Sequence, residues 1–299
     1  DIEVIVSNNF SDESYIAPQE LVSHAPQRLK ISYVCQTHRK PIDEHMYTVS
    51  RMASGDYLYF LGDDDYFLEG QLKYLVKLIL QDKPDLSIFN GIIVNSASNI
   101  VGKHHNLPPR IYNDFKIAFL DLRDKSMYGS ILVKRSHVKD ESFKMLYGSS
   151  HAYCCFWFEL LKLYHARKPI KVIVPSFPLV ALRSASKNYE PLSVYYRDIP
   201  YEISVYERFL PCGRAQKLNF FHHKMTIKRI CAMKFLLQLL LADQDLRSIS
   251  EINPYIYKNI RHKILILEAL RLVTRINQKN LVYRIARNAY HMFKLPPSG

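Results

Sequence analysis

An apolar strand that stops at three consecutive aspartates constrains this chain more than any other feature of its sequence. The stretch Ala53–Asp65 reads ASGDYLYFLGDDD, and Tyr57–Leu61 within it has the aromatic and aliphatic residues typical of a buried strand. Gly70 then precedes a segment with the apolar spacing of an amphipathic helix. The apolar positions of that helix are Leu72, Leu75, Val76, Ile79 and Leu80. This order predicts an α/β fold, with the aspartates at the carboxyl edge of the sheet, where such folds bind ligands.

The alternation of strands and helices continues beyond this segment. The predicted strands are Ile2–Val6, Leu29–Val34, Leu86–Phe89, Ile92–Val94, Ser130–Val133 and Ile170–Val174. The predicted helices are Pro18–Leu21, Asp43–Ala53 and Tyr153–Tyr164. Strands and helices that alternate at these spacings favour a mostly parallel sheet flanked by helices.

From about Tyr201 onward the strand pattern ends, and the charge changes with it. Residues 206–299 contain 17 Lys and Arg against 5 Asp and Glu, whereas residues 1–205 contain 24 against 23. We therefore predict an α/β domain over residues 1–204 and a basic helical region over residues 205–299. A basic region of this kind favours an anionic partner.

Two interpretations of the basic region remain open. One apolar helical face lies beside basic residues, which suits a helix resting on an anionic membrane surface. That face consists of Ile260, Ile264, Leu267, Leu270 and Val273. The alternative is a helical subdomain that packs on the α/β domain with its basic side in solvent. The longest uncharged run in the apolar segment Met225–Ala242 is far shorter than the roughly 20 residues of a membrane span, and no nucleic-acid-binding motif is present.

The cysteines and histidines do not form a metal-binding pattern. The five cysteines contain no CxxC pair and their number is odd, which favours a reducing compartment and argues against a disulfide framework or a structural zinc site. The pairs His104–His105 and His222–His223 have no carboxylates at ligand spacing, so we expect them to be exposed loop residues.

The three aspartates have a functional and a structural interpretation. Clustered carboxylates at a strand end present hard oxygen ligands to Mg²⁺ or Mn²⁺. Adjacent acids repel one another unless a cation or hydrogen-bond donors neutralise them. The alternative is a solvated acidic turn, which is common after strands. The buried strand before the triplet and the helix after it favour the functional interpretation.

The segment Ala53–Asp65 resembles the pattern A-x-G-x-Y-x-x-F-L-x-D-D-D of the family-2 glycosyltransferases of GT-A fold. The start of the chain, DIEVIVSNNFSDES, is similar to a strand and polar loop of their nucleotide-binding half, and the resemblance spans roughly residues 1–188. The aspartates and the region Arg183–Asn188 look most like the branch that contains abequosyltransferase-like enzymes of bacterial surface polysaccharides. The family's first strand, P-x-x-S-V-x-I-P-T-Y-N, has no counterpart, so we expect an N-terminally incomplete domain.

This resemblance implies roles for individual residues. Asp63 and Asp64 would contact the ribose and the diphosphate–metal group of a nucleotide-sugar, and Asp64 and Asp65 would bind Mn²⁺ or Mg²⁺. Asn8 stands where the family usually has an aspartate that binds the nucleotide base, and an amide offers both a donor and an acceptor. Arg183 resembles a residue near the diphosphate, for which a guanidinium is suited; the alternative is an ordinary surface arginine.

A histidine stands where the family places an acidic pair that deprotonates the acceptor. The stretch Tyr147–Tyr153 (YGSSHAY) contains no acid but contains His151. An imidazole titrates near neutral pH and is a competent general base. The resemblance therefore implies that His151 is the catalytic base, and the alternative is a surface or helix-capping histidine.

The resemblance implies a metal-dependent, inverting hexosyl- or deoxyhexosyl-transferase. It would move a sugar from a nucleotide-sugar to a hydroxyl of a glycan or lipid-linked oligosaccharide. We expect a cytoplasmic protein, peripheral on the inner face of the cell membrane, with no nucleic-acid partner. A non-catalytic nucleotide-sugar or glycan-binding module is the main alternative, because the first strand and the acidic pair are absent. A basic nucleic-acid-associated protein is the second alternative.

Overall fold

The computed structural model describes residues 2–11, 29–183, 191–241 and 244–276. The strands are β1 (Ile2–Asn8), β2 (Leu29–Cys35), β3 (Tyr57–Tyr59), β4 (Tyr66–Phe67), β5 (Leu86–Ile88), β6 (Asn90–Val94), β7 (Ile100–His104), β8 (Arg110–Tyr112), β9 (Ile131–Lys134), β10 (Val172–Val174) and β11 (Pro178–Arg183). The helices are α1 (Ile42–Met52), α2 (Leu72–Asp82), α3 (Phe115–Leu122), α4 (Asp140–Met145), α5 (Phe156–His165), α6 (Pro191–Ser193), α7 (Ile199–Phe209), α8 (Arg214–Ile230), α9 (Met233–Leu241), α10 (Ile249–Ile252) and α11 (Pro254–Ile276). The predicted helix Pro18–Leu21 lies outside the described residues.

The described strands form three sheets. β1 and β2 pair in parallel, a five-stranded sheet has the order β3-β9-β5-β10-β8, and a four-stranded sheet has the order β4-β11-β6-β7. β6 follows β5 after the single residue Phe89, and β11 follows β10 after a short turn. The carboxyl ends of β5 and β10 therefore continue directly into the four-stranded sheet.

The sheets are mixed, which corrects the expectation of a mostly parallel sheet. Three of the eight pairings among the described strands are parallel, β1–β2, β5–β10 and β6–β11, and five are antiparallel. β9 lies between β3 and β5 and runs opposite to both. A buried apolar run of three or four residues has the same appearance in either direction, so the sequence pattern could not reveal this reversal.

The chain divides into two compact units, which we call unit 1 (residues 1–190 and 198–223) and unit 2 (residues 191–197 and 224–299). Helix α8 continues from unit 1 into unit 2. These limits differ from those of the predicted domains, 1–204 and 205–299, which remain a prediction. The carboxyl-terminal region is helical, as the sequence predicted: no strand occurs among its described residues after β11.

The core of unit 1 is rich in aromatic rings. Trp157 is fully buried, lies edge-on to Phe119 at a centroid distance of 5.4 Å, and donates a hydrogen bond from Nε1 to Ser126 Oγ at 2.7 Å. A buried ion pair, Arg123 to Glu202 at 2.8 Å, ties α7 to this core. A separate cluster around Phe89, Leu75, Leu78 and Val180 packs α2 against the strands. All five cysteines are free thiols.

Unit 2 has its own core, and α11 provides one side of it. Ile260, Ile264 and Leu267 are buried there, so most of the apolar face expected to rest on a membrane is used for packing instead. The side chains of Leu270 and Val273 lie outside the described ones. The opposite face of α11 exposes Tyr255, Leu265 and Ile266, by 77%, 61% and 51%. In the part of the chain that the structure describes, no helix combines the length and apolar character that a bilayer crossing needs.

Candidate active site

The aspartate triplet forms a tight turn between β3 and β4. The Asp65 backbone N–H donates to the Gly62 carbonyl oxygen at 3.3 Å, and β4 begins at the next residue, Tyr66. Asp63 is exposed, whereas Asp64 and Asp65 are half-buried. The turn follows the carboxyl end of β3, as the sequence predicted.

The carboxylates of Asp64 and Asp65 converge over Gly62. A methyl group added to Gly62 would meet Asp65 Oδ2 at 2.9 Å and Asp64 Oδ1 at 3.1 Å. Gly62 thus leaves a small space that both oxygens face, and any larger residue would fill it. Burial raises the pKa of the Asp65 carboxyl, and the charges of Asp64 and Asp63 raise it further. A bound cation would relieve this repulsion.

Asp65 is held by neighbouring strands. Its Oδ1 accepts a hydrogen bond from the Arg183 backbone N–H at 3.1 Å, so the end of β11 lies directly beside the turn. Gly129, with φ +71°, lies near Asp65 Oδ2, and an added Cβ would be 2.7 Å from the Leu182 side chain. The Tyr59 hydroxyl donates to the Gly129 carbonyl oxygen at 2.6 Å. Burial, reinforced by the Asp65 charge, raises the pKa of Tyr59, which keeps this hydroxyl protonated and able to donate.

The oxygen atoms of Asp64 and Asp65 fit a divalent cation of the Mg²⁺ or Mn²⁺ type. Both are hard ligands, and Mg²⁺ is usually held by one or two carboxylates together with substrate phosphates and water. Among the described residues no group of three or more His, Cys, Asp or Glu side chains is arranged to hold a metal ion. Asp64 and Asp65 are the residues that would hold such an ion, and the remaining ligands would come from the donor and solvent.

His151 lies in a bent loop before α5. Its Nδ1 is 2.8 Å from the Ser149 carbonyl oxygen, and its backbone N–H donates to Ser149 Oγ at 3.0 Å. A carbonyl oxygen only accepts, so Nδ1 carries a proton, and in the neutral imidazole the lone pair is then on Nε2. This is the tautomer that a general base needs, with Nε2 as the accepting atom.

The His151 loop is fixed by a carboxylate that the sequence did not indicate, Asp43 of α1. Asp43 Oδ2 accepts from the backbone N–H groups of Gly148 at 2.9 Å and Ser150 at 3.0 Å, and Oδ1 accepts from Ala152 at 3.0 Å. Gly148 and Ser150 have positive φ angles of 88° and 59°. Burial raises the pKa of Asp43, while these three donors and the nearby His151 oppose the rise.

Aromatic contacts connect the His151 loop to the strand that carries the aspartates. The ring of Tyr153 lies 6.1 Å from that of His151 and 5.9 Å from that of Phe60, which follows β3. The Phe60 carbonyl oxygen in turn accepts from the Gly129 N–H at 2.8 Å. Two ring contacts, His151 to Tyr153 and Tyr153 to Phe60, therefore link the His151 loop to the segment between β3 and the aspartate turn.

Asn8 lies at the carboxyl end of β1, but its amide is engaged within the protein. Nδ2 donates to the Tyr33 hydroxyl at 3.3 Å, and Oδ1 accepts from the Ser11 N–H at 2.8 Å. Among the described residues, no hydrogen bond or ion pair joins Asn8 to the aspartate turn. One N–H and one lone pair of the amide remain available to a ligand.

The histidine pairs are more buried than expected. His222 on α8 is 2% exposed, with Nε2 3.2 Å from Asp124 Oδ1, and is not a loop residue. His104 and His105 are half-buried, and burial lowers their pKa values to about 4 and about 3. Sequence spacing alone did not reveal these environments, because they depend on the packing of distant segments.

The fold matches known proteins. The model of the family described as glycosyl transferase family 2 matches residues 1–143. The chain has the GT-A fold, which confirms the fold class predicted from the sequence. Comparison with curated proteins finds no match. The abequosyltransferase-like branch and the missing first strand remain predictions.

Among solved structures, the chain is similar to TarS of S. aureus. TarS 1–349 in complex with UDP gives a TM-score of 0.56 at 10% identity, over 91% of this chain and 82% of that chain. The same fragment in complex with UDP-GlcNAc gives 0.53 at 11% identity, over 76% of this chain and 63% of that chain. A third structure of TarS gives 0.53 at 10% identity, and the match covers 47% of that chain.

Proposed function

We propose that this protein is a glycosyltransferase that moves a sugar from a nucleotide-sugar to a hydroxyl group. The observation that carries the proposal is the convergence of the Asp64 and Asp65 carboxylates over Gly62, at the carboxyl end of β3. The match of residues 1–143 to glycosyl transferase family 2 supports it, as does the fold similarity to TarS crystallised with UDP-GlcNAc. We further propose that the transferred sugar is a hexose or a deoxyhexose.

The donor would bind with its diphosphate beside the aspartate turn. A Mn²⁺ or Mg²⁺ ion held by Asp64 and Asp65 would neutralise charge on the leaving nucleoside diphosphate. Asp63, exposed at the tip of the turn, would bind the ribose, and the Arg183 guanidinium would bind the diphosphate. Asn8 would contact the base through the part of its amide that Tyr33 and Ser11 do not use.

His151 would act as the general base. Its Nε2 would take the proton of the acceptor hydroxyl as that oxygen bonds to the anomeric carbon and the bond to the diphosphate breaks. A single displacement of this kind inverts the anomeric configuration. The hydrogen bond from Nδ1 to the Ser149 carbonyl would hold the neutral imidazole in the accepting tautomer before the transfer and would persist in the imidazolium that forms.

The acceptor would be a glycan or lipid-linked oligosaccharide at the inner face of the cell membrane, with the protein attached to that face from the cytoplasm. Unit 2 contains 15 Lys and Arg against 4 Asp and Glu, whereas unit 1 contains 26 against 24. The exposed face of α11 combines Lys258 and Arg261 with Tyr255, Leu265 and Ile266. We propose this outer face, in place of the buried Ile260–Leu267 face, as the contact with anionic lipid.

The donor site is tested by titrating UDP in the presence and absence of Mn²⁺. Asp64→Asn and Asp65→Asn should each weaken Mn²⁺-dependent binding by about tenfold or more, which is roughly 1.4 kcal/mol or more. Glu69→Gln removes an exposed carboxylate just beyond the turn and should leave binding unchanged. Wild-type affinity for UDP and Mn²⁺ in both aspartate variants would remove the basis of the proposal.

A non-catalytic nucleotide-sugar or glycan-binding module remains the second candidate, because the acidic pair of the family has only His151 in its place. The two candidates differ in turnover. An enzyme should release the nucleoside diphosphate of its donor, such as UDP from UDP-GlcNAc, when Mn²⁺ and an acceptor are present. A binding module should bind the donor without cleaving it.

A further inference from the structure

A cleft of about 710 Å³ opens in unit 1, away from the aspartate turn. Its lining includes Asp56 and Tyr57 at the amino end of β3 and Lys134 at the carboxyl end of the antiparallel partner β9. The aspartate turn follows the other end of β3. None of the residues that line the cleft belongs to the aspartate turn or to the His151 loop, and Arg183 is not among them. The cleft is therefore separate from the candidate active site, and its volume is within the usual range of ligand sites.

The cleft is lined mainly by positive charge. Its basic residues are Arg51, Lys83, Lys134, Arg135 and Lys139, and its acidic residues are Asp56 and Asp140. Two of the basic residues have counterions: Arg51 pairs with Asp140 at 3.0 Å and Lys139 with Glu159 at 3.2 Å. Both pairs are partly exposed, so solvent weakens them.

The other three cations are available to a ligand. Among the described residues, the side chains of Lys83, Lys134 and Arg135 make no hydrogen bond and no ion pair. Arg135 is also half-buried, so its charge has lost part of its hydration without gaining a partner among the described residues, whereas Lys83 and Lys134 are exposed. An anion in the cleft would compensate for that loss.

The backbone fixes two of these cations. Lys83 ends α2 in a left-handed conformation, with φ 47°, and its N–H donates to the Ile79 carbonyl oxygen. The Arg135 N–H donates to the Asp56 carbonyl oxygen at 2.8 Å, which holds the turn after β9 against the start of β3. Both side chains therefore start from backbone positions that hydrogen bonds hold in place along the lining of the cleft.

Apolar side chains complete the lining. Tyr57, Ile79 and Val138 contribute to the walls, and Leu80 presents 69% of its surface to solvent. An inorganic ion alone would leave this apolar surface exposed to water. A ligand that joins an anionic group to an apolar group would cover the surface and neutralise the cations together.

We propose that this cleft binds a phosphate ester that carries an apolar group. A guanidinium and two ammonium groups suit the several oxygen atoms and the double charge of a phosphate monoester better than a single carboxylate. Such an ester reaches the protein either as a lipid phosphate in a bilayer or as a free organic phosphate. The proposal is independent of sugar transfer at the aspartate turn.

The test measures binding of three probes to the full chain: monomeric dihexanoylphosphatidic acid, inorganic phosphate, and vesicles that contain phosphatidic acid. The monomeric lipid should bind more tightly than inorganic phosphate. Lys134→Ala combined with Arg135→Ala should weaken its binding by about tenfold or more, because two charged contacts are lost. Asp56→Asn should strengthen binding severalfold, because Asp56 lines the cleft and has no ion pair among the described residues, so its negative charge opposes an anionic ligand. Binding of the vesicles but not of the monomer would assign the ligand to the bilayer, and the reverse would assign a free phosphate.

The matched control is Lys116→Ala combined with Lys168→Ala, which removes two exposed positive charges elsewhere in unit 1. Equal weakening in the control and the cleft variant would reduce the effect to net charge and overturn the proposal. If Asp56→Asn binds the lipid more weakly than the wild type does, the proposal is also overturned. This variant keeps all the basic residues, so it still tests the proposal if the double variant does not fold. If inorganic phosphate binds as tightly as the lipid, the proposal that the ligand carries an apolar group is wrong. UDP and Mn²⁺ binding should be unchanged in all variants.

Discussion

Asp43 determines the shape of a loop that begins 105 residues later in the chain. Its two oxygen atoms accept three backbone N–H groups around His151, two of them from residues with positive φ. Ser150 has a Cβ and holds that conformation at a cost, which the hydrogen bonds to Asp43 offset. Within the proposed function, Asp43 is a positioning residue: it acts on the acceptor through His151 and not directly.

Replacing Asp43 by Asn should therefore slow sugar transfer without weakening the binding of the nucleotide-sugar donor. The amide nitrogen cannot accept a hydrogen bond, so at least one of the three N–H groups loses its partner, and stability should fall by about 1–3 kcal/mol. We expect kcat to fall while the affinity for UDP and Mn²⁺ stays at the wild-type value.

His151→Ala should lower kcat by about 10²–10⁴-fold, again with unchanged donor affinity.

Asp114→Asn is the matched control, because Asp114 also accepts a backbone N–H, from Lys116 at the start of α3, far along the chain from the His151 loop. Its kcat should match that of the wild type. Should Asp43→Asn keep full kcat, or should it lose donor affinity as much as rate, the positioning role would be wrong.

The sequence indicated some of these residues and not others, for a physical reason. Asp64 and Asp65 could be found because their chemistry is local: a strand, a turn and a helix in order place them at a sheet edge. Asp43 gave no such signal, since an acid in the first turn of a helix is common and its partners are distant in the chain. Family resemblance placed Arg183 near the diphosphate, but the hydrogen bond from its backbone N–H to Asp65 was not anticipated.

At the scale of elements, the sequence predicted which segments form strands and helices better than how the strands pair. The predicted helix Asp43–Ala53 is α1, Ile42–Met52, and the predicted strand Ser130–Val133 is β9, Ile131–Lys134. The predicted helix Tyr153–Tyr164 begins instead with a 3-10 turn, Ala152–Cys155. Apolar spacing reflects local burial, whereas the antiparallel position of β9 between β3 and β5 depends on long-range pairing.

Glu3 connects β1 to the segment before β3, and this connection should depend on pH. Its Oε2 accepts from the Ser54 N–H at 2.8 Å and from Ser54 Oγ at 2.9 Å, and Oε1 pairs with Lys30 at 3.0 Å. The Ser54 backbone donor, then Lys30 and the Ser54 hydroxyl, lower the pKa of Glu3 from 4.5 to about 2. A lowered carboxyl pKa stabilises the folded state above pH 4.5, and this contribution is lost as the pH falls from about 4.5 to about 2.

Glu3→Gln should remove that part of the acid dependence. At neutral pH the variant should be less stable by about 1 kcal/mol, and its difference from the wild type should shrink as the pH falls through that window. Unfolding in denaturant at several pH values measures both effects. Glu141→Gln, an exposed carboxylate without a hydrogen bond or ion pair among the described residues, serves as the control. A constant difference between Glu3→Gln and wild type from pH 7 to pH 3 would contradict the assignment.

At the scale of the whole molecule, the charge is concentrated in unit 2, and we predict that unit 2 attaches to anionic vesicles. Each basic residue near an anionic leaflet contributes about 1 kcal/mol, and salt screens this attraction beyond roughly 8–10 Å. Lys258→Glu combined with Arg261→Glu should weaken vesicle binding by more than about tenfold. Co-sedimentation with phosphatidylglycerol vesicles at low and high salt measures the effect.

Lys116→Glu combined with Lys168→Glu changes the net charge by the same amount in unit 1 and should affect binding much less. If both double variants lose binding equally, attraction depends on total charge and not on the outer face of α11. If the wild-type chain does not sediment with anionic vesicles even at low salt, membrane attachment itself is wrong, while the donor site is unaffected.

The path of the chain between the two units restricts how its gene can be divided. After residue 190 the chain contributes residues 191–197 to unit 2, returns to unit 1 for residues 198–223, and then contributes residues 224–299 to unit 2. A premature stop or a recombination point anywhere from residue 191 to 205 would delete Tyr206 and Leu218, which are buried in the core of unit 1. No single breakpoint yields both units intact. We therefore expect the two units to be gained, lost and exchanged together during evolution, as one inheritable segment.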